Sequence, residues 1–197
     1  SESVDQGIYG NSYQENKTVN GTVVSALSNC KGTMYIPEGV KSLSSASGQT
    51  GVTNIAFPST MEAIQANALS GYTGLVSLNL DPVKYLMTGA FSSGCNITSL
   101  SLGSTFEFFG KQALQGCANL TAVALPASIR SLGEWTFGGS AVTYFDLPAS
   151  FTCTEPGLMK ESGCDWKIGQ YFFGGAPGSG YAILAPQIKI NLGNIQS

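Results

Sequence analysis

The sequence predicts a mainly β repeat solenoid, a stack of short coils rather than a globule around one centre, on three observations. First, one apolar phrase recurs five times: Val52-x-x-Ile55-x-Phe57, Leu75-x-x-Leu78-x-Leu80, Ile97-x-x-Leu100-x-Leu102, Leu120-x-x-Val123-x-Leu125 and Val142-x-x-Phe145-x-Leu147. Second, successive copies start 23, 22, 23 and 22 residues apart, the mark of a unit that buries its apolar side against the next copy. Third, 25 glycines and 8 prolines supply the many tight turns that short coils need and long helices do not tolerate. Hydrophobic residues make up 43% of the 197 and charged residues 11%, so the chain lacks the charge density of a disordered segment.

The length fits one array closed by caps. Residues 1–32 are read as the N-terminal cap, residues 33–150 as about five coils of 21–23 residues, and residues 151–197 as an aromatic-rich C-terminal cap. The first coil, Ile36 to Ala56, is degenerate, with a serine-rich run from Ser44 to Thr50 in place of the usual corner. Past Leu147-Pro148 the register fails, and Trp166, Tyr171, Phe172, Phe173 and Tyr181 crowd a segment suited to covering an open coil. Ile188, Ile190 and Leu192 alternate as a final strand would.

Within each coil, positions 1, 4 and 6 of the phrase point inward and the residues between them outward, as in a short strand of a parallel sheet. A turn signal follows: Pro58, Asp81-Pro82, Gly103, Pro126 or Pro148. A second apolar pair then forms a short second edge: Val40 with Leu43, Met61 with Ile64, Val83 with Leu86, Phe106 with Phe109, Ile129 with Leu132. The third corner sets a small residue before a large one, in Ala68-Leu69, Ala90-Phe91, Ala113-Leu114 and Thr136-Phe137, because only a small side chain fits where coils crowd. It closes with Gly71-Tyr72, Gly94-Cys95, Gly116-Cys117 and Gly139-Ser140, where glycine suits a left-handed turn.

The five cysteines are Cys30, Cys95, Cys117, Cys153 and Cys164. Cys95 and Cys117 hold equivalent places in successive coils and read as a buried column of small apolar side chains. Cys153 and Cys164 lie outside the array and are a candidate disulfide of the C-terminal cap. There is no Cys-x-x-Cys and no histidine, so a zinc site with ordinary ligands is not expected, and Ser-His-Asp or Cys-His catalysis with an internal base is excluded.

This pattern resembles the BspA-like family of leucine-rich repeats. The closest match runs from Leu102 to Pro126, with Ala113, Leu114, Gly116, Cys117, Asn119, Leu120 and Thr121 in register, and continues through Ile129, Leu132-Gly133 and Phe137. The resemblance covers about residues 33–150 and implies a right-handed leucine-rich-repeat stack with one parallel sheet, a short second edge and caps at both ends. It also implies a surface or secreted protein that acts in adhesion and protein recognition.

Two exposed columns are candidates for function. Lys41, Glu62, Lys84, Glu107 and Arg130 alternate in sign over five coils, which favours correct register more than it favours a ligand, since a neutralised ladder offers little net field. The outward residues of the phrase are mostly small and neutral until Tyr144 and Asp146 at the C-terminal end, the kind of anchors that dominate protein contacts. Tyr144, Asp146 and Asn79 are therefore the candidate binding residues.

Other motifs are given structural readings. Asn16-Lys17-Thr18, Asn20-Gly21-Thr22, Asn96-Ile97-Thr98 and Asn119-Leu120-Thr121 are formal glycosylation sequons, but the last two sit where asparagine can bond a repeat turn. Gly174 to Gly180 lacks the Gly-Lys-Ser/Thr ending of a phosphate loop and reads as a cap loop. Glu155, Glu161 and Asp165 read as solvated cap residues, although two such carboxylates in a cleft could serve a glycosidase.

With nine Lys and Arg against twelve Asp and Glu, and no basic stripe, nucleic acid is not an expected partner. No segment reaches the ~18 unbroken apolar residues of a membrane span, and no apolar leader opens the chain, whose first residues, Ser1 to Asp5, are polar or charged but for Val4. The expected function is a non-enzymatic protein-recognition or adhesion module, extracellular or at the cell surface, without cofactor or metal. Its partner would be a host or cell-surface protein, or a glycan. The alternative is a carbohydrate-binding or carbohydrate-active domain that uses the C-terminal carboxylates and aromatics.

Overall fold

The repeat phrase is built from β-branched and leucine residues at alternating or three-apart positions, too short for a helix and bounded by proline or glycine. In the computed structural model four of the five copies accordingly form strands, while Leu120–Leu125 carries only a single bridge at Ala122. The structure describes residues 22–25, 31–44, 49–91, 94–129, 131–133, 136–142, 144–146, 167–168 and 189–191. These hold β1 (Thr22–Ser25), β2 (Gly32–Tyr35), β3 (Val40–Ser44), β4 (Val52–Ala56), β5 (Ala63–Ile64), β6 (Ser77–Leu80), β7 (Tyr85–Leu86), β8 (Ser99–Leu102), β9 (Phe108–Phe109), β10 (Ser131–Leu132), β11 (Tyr144–Asp146), β12 (Lys167–Ile168) and β13 (Lys189–Asn191). No helix occurs among the described residues.

Every pairing is parallel and joins equivalent residues of neighbouring coils. Seven strands form one continuous sheet in the order β1-β3-β5-β7-β9-β10-β12, and the phrase strands pair as β2-β4, β6-β8 and β11-β13. The stack is thus a parallel β-solenoid as expected, with its unbroken ladder on the edge read from sequence as the shorter one. That edge is closed at both ends of each strand by non-proline donors: Glu62 N to Lys41 O at 2.8 Å, Lys84 N to Glu62 O at 2.8 Å and Glu107 N to Lys84 O at 2.9 Å. Gln65 N to Leu43 O, Met87 N to Ile64 O, Gly110 N to Leu86 O and Gly133 N to Phe109 O close the other end. Strands from both regions read as caps extend the ladders, β1 on β3, β12 on β10, and β13 on β11.

The core runs as one column from Met34 to Val142. Phrase positions 1 and 4 are buried in each described copy from Val52 to Val123, and Phe57, Leu102 and Leu125 at position 6 pack against them part-exposed. The second pair is buried too in the four copies from Val40 to Phe109, and Phe109 bridges Phe106 and Phe137 at centroid distances of 4.7 and 5.7 Å. Each such side chain removed from water stabilises the stack by about 2 kcal/mol. A second cluster, Ala63, Met87 and Phe108 with Tyr85, lies on the other side of the seven-stranded sheet. A pattern that looked only for the three-apart pair does not find it, because alternation puts Ala63 and Phe108 opposite Ile64 and Phe109.

Corner chemistry follows the columns. Ala68, Ala90, Ala113 and Thr136 are fully buried, and the Thr136 hydroxyl donates to Gly133 O at 2.7 Å. Gly71, Gly94, Gly116 and Gly139 have φ of 79°, 81°, 79° and 73°, the left-handed conformation that L-residues avoid. Two other columns constrain the backbone. Gly133 has no room for a side chain, since a Cβ would sit 2.5 Å from Gly110 C. Asn67, Gly89 and Gln112 form a left-handed column with φ of 60°, 59° and 59°, and only one of the three is glycine.

The cysteine column needs correction. Cys95 and Cys117 are buried as expected, but they are joined as a disulfide with a Cα–Cα distance of 4.9 Å. Stacking places equivalent residues one strand spacing apart, about 4.8 Å, which falls within the range of about 4.4–6.8 Å that a disulfide spans. Two cysteines in one column of adjacent coils are therefore already in bonding position. Cys30, Cys153 and Cys164 lie outside the described residues, as do Trp166, Tyr171, Phe172, Phe173, Tyr181, Glu155, Glu161, Asp165, Asn16, Asn20, Arg130 and the loop from Gly174 to Gly180.

The crosslink closes a loop of 22 residues, so its loss in a Cys95→Ala/Cys117→Ala double variant is expected to lower unfolding free energy by about 3 kcal/mol, read by urea denaturation. Conversely, Gln112→Gly relieves a left-handed backbone and is expected to raise stability by about 1 kcal/mol; a lowered melting temperature would contradict the left-handed assignment.

Candidate functional site

The corner that joins each phrase strand to the second edge differs in one coil. Phe57 to Met61, Leu102 to Phe106 and Leu125 to Ile129 each span four steps, whereas Leu80 to Val83 spans three, through Asp81-Pro82. In the Phe57–Met61 and Leu125–Ile129 corners a hydroxyl holds the preceding coil. Thr60 Oγ1 donates to Val40 O at 2.8 Å and accepts from Gly39 N at 2.9 Å, and Ser128 Oγ donates to Phe106 O at 2.6 Å. Glu38 adds two bonds of 3.0 Å, accepting from Ser59 N and Ser59 Oγ. The short corner has no residue at that place. It is fixed instead by Asn79, whose Oδ1 accepts from Asp81 N at 2.9 Å and from Ser101 Oγ at 3.3 Å.

A notch results where the short corner lies between two longer ones. A cavity of 760 Å³ spreads over it, walled by Ser59, Thr60 and Met61 on one side and Ser104 and Thr105 on the other, with Lys41, Glu62 and Lys84 along one rim. A second hollow of 440 Å³ opens toward the phrase strands, lined by Asn54, Ile55, Ala56 and Asn79. The two meet at Phe57, Asp81 and Pro82. Lys41 Nζ and Glu62 Oε1 pair at 3.5 Å in a partly exposed setting, so the described start of the alternating column forms the contact its signs require. The lining of the larger cavity carries two lysines, one glutamate and one aspartate, and its charges cancel.

Asn79 is exposed at the edge of this site, and its side-chain oxygen has a structural task. Tyr144 and Asp146 lie on β11, paired with Lys189 and Asn191, with side chains outside the described residues. The three candidates are not brought together: Asn79 stands three coils from β11. The sequence reading missed two features that it held. Tyr35 is 79% exposed beside Ala56 on the outward face, and Met34-Tyr35-Ile36 is the second half of a phrase whose first apolar position is lost. The three-step corner was visible as a spacing. Asn96 uses its Nδ2 to donate to Thr73 O of the preceding coil at 2.9 Å, the turn role expected of it.

Parallel coils of this length, with leucine-rich phrases on one side and Ala-Phe type corners on another, define a leucine-rich-repeat protein. The chain belongs to the family with the BspA type leucine rich repeat region, which matches residues 44–162 in six copies. Its fold is similar to a leucine-rich repeat protein of T. pallidum, with a TM-score of 0.60 and 19% identity over 75% of this chain and 73% of that one. It is also similar to a leucine-rich repeat protein from Bacteroides ovatus, with a TM-score of 0.52 and 20% identity over 68% of this chain and 42% of that one. A leucine rich cell surface protein from Faecalibacterium prausnitzii matches with a TM-score of 0.50 and 17% identity, over 75% and 50% of the two chains. No curated protein matches the sequence. Among the described residues no group of three or more His, Cys, Asp or Glu could hold a metal ion, and no helix is long and apolar enough to cross a membrane.

The charge column yields one expectation at the rim of the site. Glu62→Lys sets like charges one coil apart and is expected to cost about 1 kcal/mol at low salt, less at high salt, read by thermal melts at two ionic strengths. Equal melting temperatures for variant and parent would contradict the register role.

Proposed function

We propose that the chain is a non-enzymatic recognition and adhesion module that works outside the cell, on a leucine-rich-repeat scaffold suited to protein contact. The observation that carries this reading is the outward face of the phrase strands. Thr33 pairs with Asn54 and Ser77 with Ser99 at one outward position of the phrase, and Tyr35 pairs with Ala56 and Asn79 with Ser101 at the next. A flat face with little side-chain entropy to lose is a low-cost contact surface, and aromatic residues at its two ends supply anchors. Tyr35 provides one end, and Tyr144 with Asp146 the other.

Location outside the cell is supported by the Cys95–Cys117 disulfide, since such bonds persist mainly in oxidising compartments. Similarity to a protein described as a leucine rich cell surface protein agrees with this. The proposed organisation is an N-terminal cap over residues 1–32, coils over 33–150 and a C-terminal cap over 151–197.

Two measurements test the reading. Brief protease treatment of intact source cells is expected to release peptides of this chain; their retention until lysis would place it inside. Fluorescently labelled chain is expected to adhere to partner cells with adhesion reduced at least tenfold by Tyr144→Ala at an unchanged melting temperature. Unchanged adhesion would remove the C-terminal end of the face from the contact.

A further inference from the structure

The notch over Asp81-Pro82 has a chemistry distinct from the flat face. Its floor is apolar, Phe57 and Pro82, and its mouth toward the phrase strands carries neutral amides and one carboxylate: Asn54, Asn79 and Asp81, all exposed. Asn79 Oδ1 is engaged by Asp81 N and Ser101 Oγ, so its part toward a ligand is donation from Nδ2, while Asn54 offers both donor and acceptor and Asp81 accepts. On the row of Asn79 but two strands from it, Tyr35 stands 79% exposed next to Ala56, which itself lines the hollow. A large aromatic left in water beside a polar hollow is unusual for a strand whose other outward residues are small.

We infer that this notch binds a neutral saccharide, with a pyranose ring packed on Tyr35 and its hydroxyls bonded to Asn54, Asn79 and Asp81. A sugar presents an apolar C–H face and a rim of groups that both donate and accept, which is the complement of an aromatic ring beside amides and a carboxylate. The cancelling charges around the larger cavity, with Lys41 already paired to Glu62, give no field to select an anionic or cationic ligand. The volumes of 440 and 760 Å³ fall in the roughly 300–1,000 Å³ range of small-ligand sites. The site exists because one corner is a residue short, and no other described corner between a phrase strand and the second edge has that length.

The test uses the whole chain and a panel of neutral di- and trisaccharides built from glucose, galactose, mannose and N-acetylglucosamine, by calorimetry and saturation-transfer NMR. At least one member is expected to bind in the millimolar to micromolar range, with affinity falling tenfold or more in Tyr35→Ala and in Asp81→Ala. One serine inserted between Asp81 and Pro82 restores the four-step corner, and is expected to abolish binding while the far-UV spectrum and melting temperature stay those of the parent. Tyr144→Ala is expected to leave saccharide binding intact, which separates this site from the cell-adhesion reading. Absence of binding across the panel, a preference for charged sugars, or full binding by the insertion variant would each overturn the assignment.

Discussion

Stacking at a single strand spacing is the constraint on which the remaining structure depends. Each coil's backbone N–H groups bond carbonyls of the coils before and after it, so equivalent residues sit about 4.8 Å apart in successive turns. A residue is thereby judged twice, once by its place in its own coil and once by what the column above and below permits. Leucine over leucine fills a continuous core, lysine over glutamate pairs, and cysteine over cysteine crosslinks. Glycine recurs where the backbone is left-handed, as at Gly71, Gly94, Gly116 and Gly139, or where the next coil leaves no room for a Cβ, as at Gly133.

The same constraint says where function can reside. A perfectly regular stack repeats one surface and distinguishes no part of it, so specificity must come from departures. The described residues show two, the short corner at Asp81-Pro82 and the exposed ring of Tyr35. They lie at the N-terminal end of the array, on neighbouring parts of one face. The apolar floor under the notch costs little to maintain, because Phe57 also packs against the core.

Much of the fold was legible in the sequence because a column repeats its evidence. Five copies of the phrase fixed the inward positions, four Gly-containing corners fixed the left-handed turn, and alternating Lys and Glu fixed a pair that the structure closes. Less was legible where one residue must be weighed against a neighbour in space. The cysteine column reads as packing from sequence alone, because equivalence in a repeat signals similarity of residues before it signals a distance between them. Phe108 and Ala63 are hidden in the sequence because the three-apart pair masks the face that alternation creates. Of the candidate site the column pattern singles out Asn79 alone and otherwise favours the C-terminal end; the short corner shows in the sequence as the three-step spacing from Leu80 to Val83 and not in the copy spacing, since the 22-residue step from Leu120 to Val142 keeps a four-step corner.

If equivalent residues truly stand one strand apart, Cys95 and Cys117 can reach no partner more readily than each other. Non-reducing peptide mapping by mass spectrometry, with alkylation before digestion, measures this directly. The stacked register requires one crosslinked species that joins the peptide containing Cys95 to that containing Cys117. Recovery of both as alkylated free thiols, or of either joined to Cys30, Cys153 or Cys164, would contradict the register on which the core, the charge column and the notch all rest.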